Sequence, residues 1–193
     1  DIINFIKNKE LFFKIFLSSI PVMLTGFLLV KFELIDQLRN LQVIGWTTII
    51  FGILLYISDK FSIENKIDNN FTIKSAMIIG ILQIFSLIPG VSRSGITITA
   101  ARMLKFNRFD SAKISFLLSI PTLAAVSFFG LKNLVVSNNL DFSVLNLASI
   151  FLSFIFSLIT IKFFLNYIKN FNLNIFVIYR IILGIFLVII AYL

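Results

Sequence analysis

The chain has 193 residues, 59% of them hydrophobic and 13% charged, with a mean hydropathy of +1.02. A soluble domain carries about 25% charged residues, so this composition describes an integral membrane protein. Histidine and cysteine are absent, which excludes Cys/His zinc sites, histidine bases, thiol nucleophiles and disulfides. The net charge of +8 comes mainly from lysine, twelve against five arginines. It reads first as a membrane-topology signal, and no nucleic-acid partner is expected. The chain starts at Asp1 and shows no short apolar run with a small-residue cleavage site.

Five stretches are long enough to cross a bilayer, which takes about 20 apolar residues. They lie at roughly 11–30, 41–57, 113–130, 143–165 and 174–193. Residues 58–72 and 131–142 read as polar linkers between helices, so 1–193 reads as a single membrane domain.

The apolar region 73–104 is broken by Pro89-Gly90-Val91-Ser92-Arg93-Ser94-Gly95. As helices, residues 73–88 would reach about 24 Å and 96–104 about 14 Å. Both fall short of a hydrocarbon core about 30 Å thick. Two short arms meeting at a Pro-Gly break predict a re-entrant helical hairpin over about 73–104, its tip inside the membrane.

Charge assigns the sides. With the hairpin entering and leaving on one side, that side collects Lys7, Lys9, Lys14, Lys60, Lys66, Lys74, Arg102, Lys105, Arg108, Lys113, Lys162 and Lys169. The other side holds Lys31, Arg39 and Lys132. Positive charge marks the cytoplasmic side, so the tip at Ser92–Gly95 is expected to point away from the cytoplasm.

Lys14-Ile15-Phe16-Leu17-Ser18-Ser19-Ile20-Pro21 has an echo in Lys113-Ile114-Ser115-Phe116-Leu117-Leu118-Ser119-Ile120-Pro121, 100 residues on by the shared Ser-Ile-Pro. As a true repeat, it would place a first hairpin before Asp1 and a site at the interface between the halves. Chance similarity in Ile/Leu/Ser-rich sequence accounts for it as well.

The tip carries the chemistry. An arginine at bilayer depth costs about 2.5–3.5 kcal/mol on insertion scales, so it needs a partner or a cavity. Its planar fork can grip a phosphate through two parallel hydrogen bonds. A helix from Ile96 onward would add free N–H groups and a positive dipole end. Gly90 and Gly95 let the backbone turn and approach a ligand. Ser92 and Ser94 offer hydroxyls, and Thr97 falls in the first turn, its hydroxyl toward the same point. Gln83, the one amide in the entering arm, could orient the loop or touch the substrate. Other readings stand beside these. Arg93 could cap helix carbonyls, and Thr99 and Ser86 suit bonding to their own backbone. Arg180 reads as a snorkelling or structural arginine rather than a ligand.

Gln83 followed by Pro89-Gly90-Val91-Ser92-Arg93-Ser94-Gly95-Ile96-Thr97 resembles the second signature of the undecaprenyl-diphosphatase family, the bacitracin-resistance phosphatases. Phe116-Leu117-Leu118-Ser119-Ile120-Pro121 and Ile178-Tyr179-Arg180 are similar to that family too, and the resemblance covers nearly the whole chain. It implies an all-α bundle of interlocked inverted repeats with two re-entrant hairpins. The activity implied is hydrolysis of a polyprenyl diphosphate lipid, undecaprenyl diphosphate, to its monophosphate, recycling a carrier for cell-wall synthesis. It also implies a divalent cation (Mg2+ or Ca2+) and a site on the outer face of the bacterial inner membrane. The family's arginine carries over to Arg93, and its hydroxyls to Ser92, Ser94 and Thr97. Family members begin with an E-x-x-x-E segment and a Ser-Ser-Thr-Gly-His type hairpin, which have no counterpart here. Glu10, Glu33 and Glu64 are the only glutamates and none pairs at that spacing. The metal ligands are therefore expected before Asp1, and the chain reads as the C-terminal portion of the enzyme, with little activity alone. A homodimer is one option for its oligomeric state.

A transporter or flippase for an anionic lipid or small anion would use the same broken helix without hydrolysis. A carboxylate pair upstream favours the enzyme. A histidine-dependent lipid phosphatase lacks its histidines here.

Overall fold

A computed structural model describes residues 8–33, 38–63, 65–136 and 144–193, with the backbone alone for 132–136. Five helices in it are long and apolar enough to cross a membrane: α1 (Lys9–Lys31), α2 (Leu41–Asp59), α6 (Arg108–Val136, apolar through Leu131), α7 (Val144–Asn170) and α8 (Asn174–Tyr192). Between α2 and α6 lie α3 (Ile67–Asn70), α4 (Ile73–Leu82), a 3-10 turn over Gln83–Leu87 and α5 (Arg93–Met103). The chain is an all-α integral membrane protein, and the five spans stand where the apolar runs put them.

Local chemistry sets the helix starts. Asn8 accepts from Leu11 N, Asn40 from Val43 N, Thr72 from Ser75 N and Ser92 from Gly95 N, each satisfying an orphan donor of the first turn. α6 begins at Arg108, five residues before the expected 113, because Asn107 Oδ1 accepts from Asp110 N at 2.8 Å.

The region 73–104 forms two short arms around a break at 88–92, as a hairpin requires. The second arm begins at Arg93 rather than Ile96, since the Ser92 hydroxyl caps the helix there. Arg93 and Ser94 are thus the first two residues of α5.

The hairpin is embedded in the bundle. α4 packs on α1 so closely that a Cβ on Gly80 would overlap the Ser18 carbonyl. α5 lies against both α2 and α6. Ile15, Ile79, Ala100, Ala101, Ile114 and Leu118 fill the core between these arms and their neighbours. α2 meets α8 through small residues: a Cβ on Gly45 would stand 2.7 Å from Val188 Cγ2, and one on Gly184 2.5 Å from Ile49 Cγ1. Such residues let membrane helices approach closely.

The stretch 58–72 is more than a polar linker. Ile67 and Phe71 are buried in the core, and Asn65 bridges to Phe106. The expected linker 131–142 begins as the last turns of α6, and 137–142 lies outside the described residues. Lys7, Glu64 and the Lys132 side chain lie outside them too.

Lys14 and Lys113 line one polar cavity together, so α1 and α6 start on the same side. An inverted repeat would put their starts on opposite sides. The 100-residue echo therefore relates two helices of like direction and is not the inversion that the resemblance implies.

Candidate active site

A broken helix at membrane depth exposes backbone groups that lipid cannot satisfy. Here the neighbours satisfy them. Thr47 Oγ1 donates to the Pro89 carbonyl at 2.7 Å, and Thr48 Oγ1 to the Gly90 carbonyl at 3.2 Å. Arg180 Nη2 donates to the same Gly90 carbonyl at 3.0 Å. The turn runs through Gly90 at φ +89°, where a Cβ would collide with Thr47 Oγ1 and the Ile44 carbonyl. α2 and α8 therefore take up the carbonyls of the break.

The amide side follows from the cap. Ser92 Oγ accepts from Gly95 N at 3.1 Å and lies 3.2 Å from Ser94 Oγ. The first N–H groups of α5 and two hydroxyls thus share one end of a helix whose dipole favours an anion.

Arg93 leaves this end toward α6. Its Nη1 donates to Thr122 Oγ1 at 3.0 Å, while the Thr122 hydroxyl itself bonds the Leu118 carbonyl at 3.0 Å. That is its one hydrogen bond among the described residues, and the side chain is half-buried. The guanidinium is held by a hydroxyl at one nitrogen and does not cap helix carbonyls, so the rest of its fork is available to a ligand.

A cavity of about 500 Å³ lies beside the tip, lined by Gly90, Ser92, Ser94, Gly95 and Arg180 together with apolar residues of α2, α7 and α8. Arg93 is not part of its lining. The hairpin thus presents Ser92 and Ser94 toward α8, and Arg93 toward α6.

Two sequence candidates sit elsewhere. Thr97 does not turn its hydroxyl to the tip. It donates to the Arg93 and Ser94 carbonyls at 2.9 and 3.2 Å and lies 2.7 Å from Ser115 Oγ, with 1% of its surface exposed. One turn into the helix, it locks α5 to α6. Gln83 is fully buried, and neither amide atom has a hydrogen-bond partner among the described residues, so it offers no open face to a substrate. Thr99 bonds the Gly95 carbonyl of its own helix at 2.8 Å. Arg180 is the residue that sequence reasoning set aside; its structural role at Gly90 is real, and it also lines the cavity. Thr122 was also missed, its one signal being its place directly after Pro121.

The hairpin's open end is tied by charge. Arg102, 1% exposed, donates to the carbonyls of Phe106, Asp59 and Phe61 at 2.6, 2.8 and 2.9 Å. Arg108 forks onto both Asp59 carboxylate oxygens at 2.7 and 3.0 Å. Among the described residues, no group of three or more Asp, Glu, His or Cys side chains could hold a metal ion. The described residues thus offer no such cluster to the divalent cation implied by the resemblance.

Known proteins bear on this geometry. The sequence pattern of Bacitracin resistance protein BacA matches residues 4–186. The undecaprenyl-diphosphatase of Pelagibacter ubique (strain HTCC1062) is 49% identical over 193 residues, all of this chain and 75% of that protein. The undecaprenyl-diphosphatase of Jannaschia sp. (strain CCS1) is 36% identical over 185 residues, 96% of this chain and 69% of its own length. That of Elusimicrobium minutum (strain Pei191) is 41% identical over 177 residues, covering 91% and 66%. With its Pro-Gly-Val-Ser-Arg-Ser-Gly run at the tip of a membrane hairpin and a match over nearly its whole length, the chain belongs to the bacitracin resistance protein BacA family.

Proposed function

We propose that this protein hydrolyses undecaprenyl diphosphate to undecaprenyl phosphate and phosphate, as the names of its relatives imply. The observation that carries the reading is the polarity of the hairpin tip. Its Pro89 and Gly90 carbonyls are occupied by Thr47, Thr48 and Arg180, and the amide end of α5, two serine hydroxyls and the Arg93 fork stand beside them. Every one of these groups is a donor suited to phosphate oxygens.

Phosphoryl transfer leaves little covalent work to the protein, so positioning and electrostatic stabilisation supply most of the rate. Arg93, on the first residue of a helix, adds a full charge where the dipole already favours an anion. Ser92 and Ser94 orient the phosphate. The nucleophile is not among the residues assigned here. A divalent cation, Mg2+ or Ca2+, would need carboxylate ligands that the described residues do not bring together.

The positive-inside count supports a tip facing away from the cytoplasm, and the bacterial relatives support a plasma-membrane location. The partner is then a polyprenyl diphosphate lipid delivered within the bilayer. The test is phosphate release from farnesyl diphosphate by the purified protein as its gene encodes it. Steady release supports the reading, and lipid binding without release would replace it with a carrier.

A further inference from the structure

A second cavity, polar and also about 500 Å³, lies between the starts of α1 and α6 and the α3–α4 segment. It stands beside the hairpin's open end, where Phe71 of its wall meets Phe106 edge-on with ring centroids 6.1 Å apart. Lys9, Glu10 and Lys14 fall in the first two turns of α1, and Arg108, Asp110 and Lys113 in those of α6. Charged side chains avoid the hydrocarbon core, so this end of the bundle stands at headgroup depth.

Four charged side chains line the cavity, two of each sign: Glu10, Lys14, Asp68 and Lys113. One pair is used internally. Lys14 Nζ is paired with Glu10 and donates to the Phe71 carbonyl at 2.8 Å. The other two are unanswered. Lys113 is half-buried and Asp68 exposed, and neither has a hydrogen bond or ion pair among the described residues, with the other or elsewhere. A lysine that only marked topology would extend its ammonium to water, whereas Lys113 lines this cavity. A simple anion here would meet Asp68, and a simple cation would meet Lys113. The complement of a cation and a carboxylate held apart across one cavity is a zwitterion.

We propose that this cavity binds a phosphoethanolamine group, its phosphate accepting from Lys113 Nζ and its primary ammonium donating to Asp68. Basic pockets between membrane helices on the cytoplasmic side take lipid headgroups. The source that fits this depth is therefore a phospholipid of the cytoplasmic leaflet, and a soluble phosphoethanolamine ester carries the same chemistry. The site lies away from the hairpin tip and does not rest on the phosphatase reading.

The test measures lipid binding by native mass spectrometry, on the protein as its gene encodes it, purified in detergent. The probes are dioleoyl-phosphatidylethanolamine, -phosphatidylglycerol and -phosphatidylcholine, with soluble glycerophosphoethanolamine as the fourth. Lys113→Met should weaken phosphatidylethanolamine binding at least tenfold, and Asp68→Asn at least fivefold. Asp68→Asn should change binding of the other two lipids less than twofold, since neither offers a hydrogen-bonding ammonium. Lys74→Met, at a lysine outside the cavity lining, should change phosphatidylethanolamine binding less than twofold. Asp68 is exposed, so Asp68→Asn decides alone should Lys113→Met not fold. Glycerophosphoethanolamine should bind at least tenfold more weakly than the lipid; equal affinity would overturn the bilayer as the source. Phosphatidylethanolamine binding that survives both variants, or a loss in Asp68→Asn shared equally by phosphatidylcholine, overturns the proposal.

Discussion

Asp59 and Arg102 close the mouth of the hairpin. Arg102 Nε lies 3.4 Å from Asp59 Oδ1, while Arg102 Nη2 bonds the Asp59 carbonyl at 2.8 Å. Asp59 also receives the Arg108 fork and accepts from Leu173 N at 3.3 Å. One carboxylate thus joins the end of α2, the end of α5, the start of α6 and the loop before α8. Removing one partner of a buried ion pair costs about 3–5 kcal/mol. Asp59→Ala should therefore lower thermal unfolding in detergent markedly, and a shift of less than a degree or two would show that the carbonyls alone hold Arg102.

Gly90 stands at φ +89°, and α2 leaves it no space for a side chain. The left-handed conformation alone costs an L residue about 1–2 kcal/mol, and the collision with Thr47 adds to it. Gly90→Ala should reduce phosphate release at least tenfold while far-UV helicity is retained. Full activity in that variant would mean that the turn tolerates displacement.

Thr122 gives Arg93 its one hydrogen bond among the described residues. Thr122→Val keeps the shape and removes the acceptor. Misplacing a catalytic group by about 1 Å can cost about 100-fold in rate, so kcat should fall about tenfold or more, while the half-buried guanidinium turns to water and the unfolding temperature changes little. An equal loss of stability and activity would make Thr122 a packing residue.

Gln83 is buried with both amide atoms unpaired among the described residues. A buried polar group without a partner costs about 1–3 kcal/mol. Gln83→Leu, of similar volume, should therefore leave the unfolding temperature the same or higher. A clear drop would show that the amide is hydrogen-bonded in the membrane-embedded protein.

The sequence carried most of the architecture. Apolar run length placed the five spans, and Pro89-Gly90 placed the break, because a bilayer imposes one length rule and one backbone rule. Side-chain direction was less legible. Thr97 looked like a tip residue by spacing from Ile96, but capping by Ser92 moved the helix start to Arg93, turning Thr97 toward Ser115. Arg180 read as a structural arginine because its neighbours on α8 are apolar; nothing in a one-dimensional pattern shows that glycines at 45, 52 and 184 bring it to Gly90. Ile67 and Phe71 looked like linker residues because a short buried return has no periodicity to reveal it.

The most direct measurement is phosphate release from farnesyl diphosphate by the Arg93→Lys variant of the protein as its gene encodes it. A lysine keeps the charge but not the fork that can hold one nitrogen on Thr122 and offer the others to phosphate. Loss of one such electrostatic contact lowers turnover about 100-fold or more, and that is the expected result, with helicity and unfolding temperature near wild type. Release within threefold of wild type would contradict a phosphate-gripping role for Arg93, and with it the account of the hairpin tip as the site of hydrolysis.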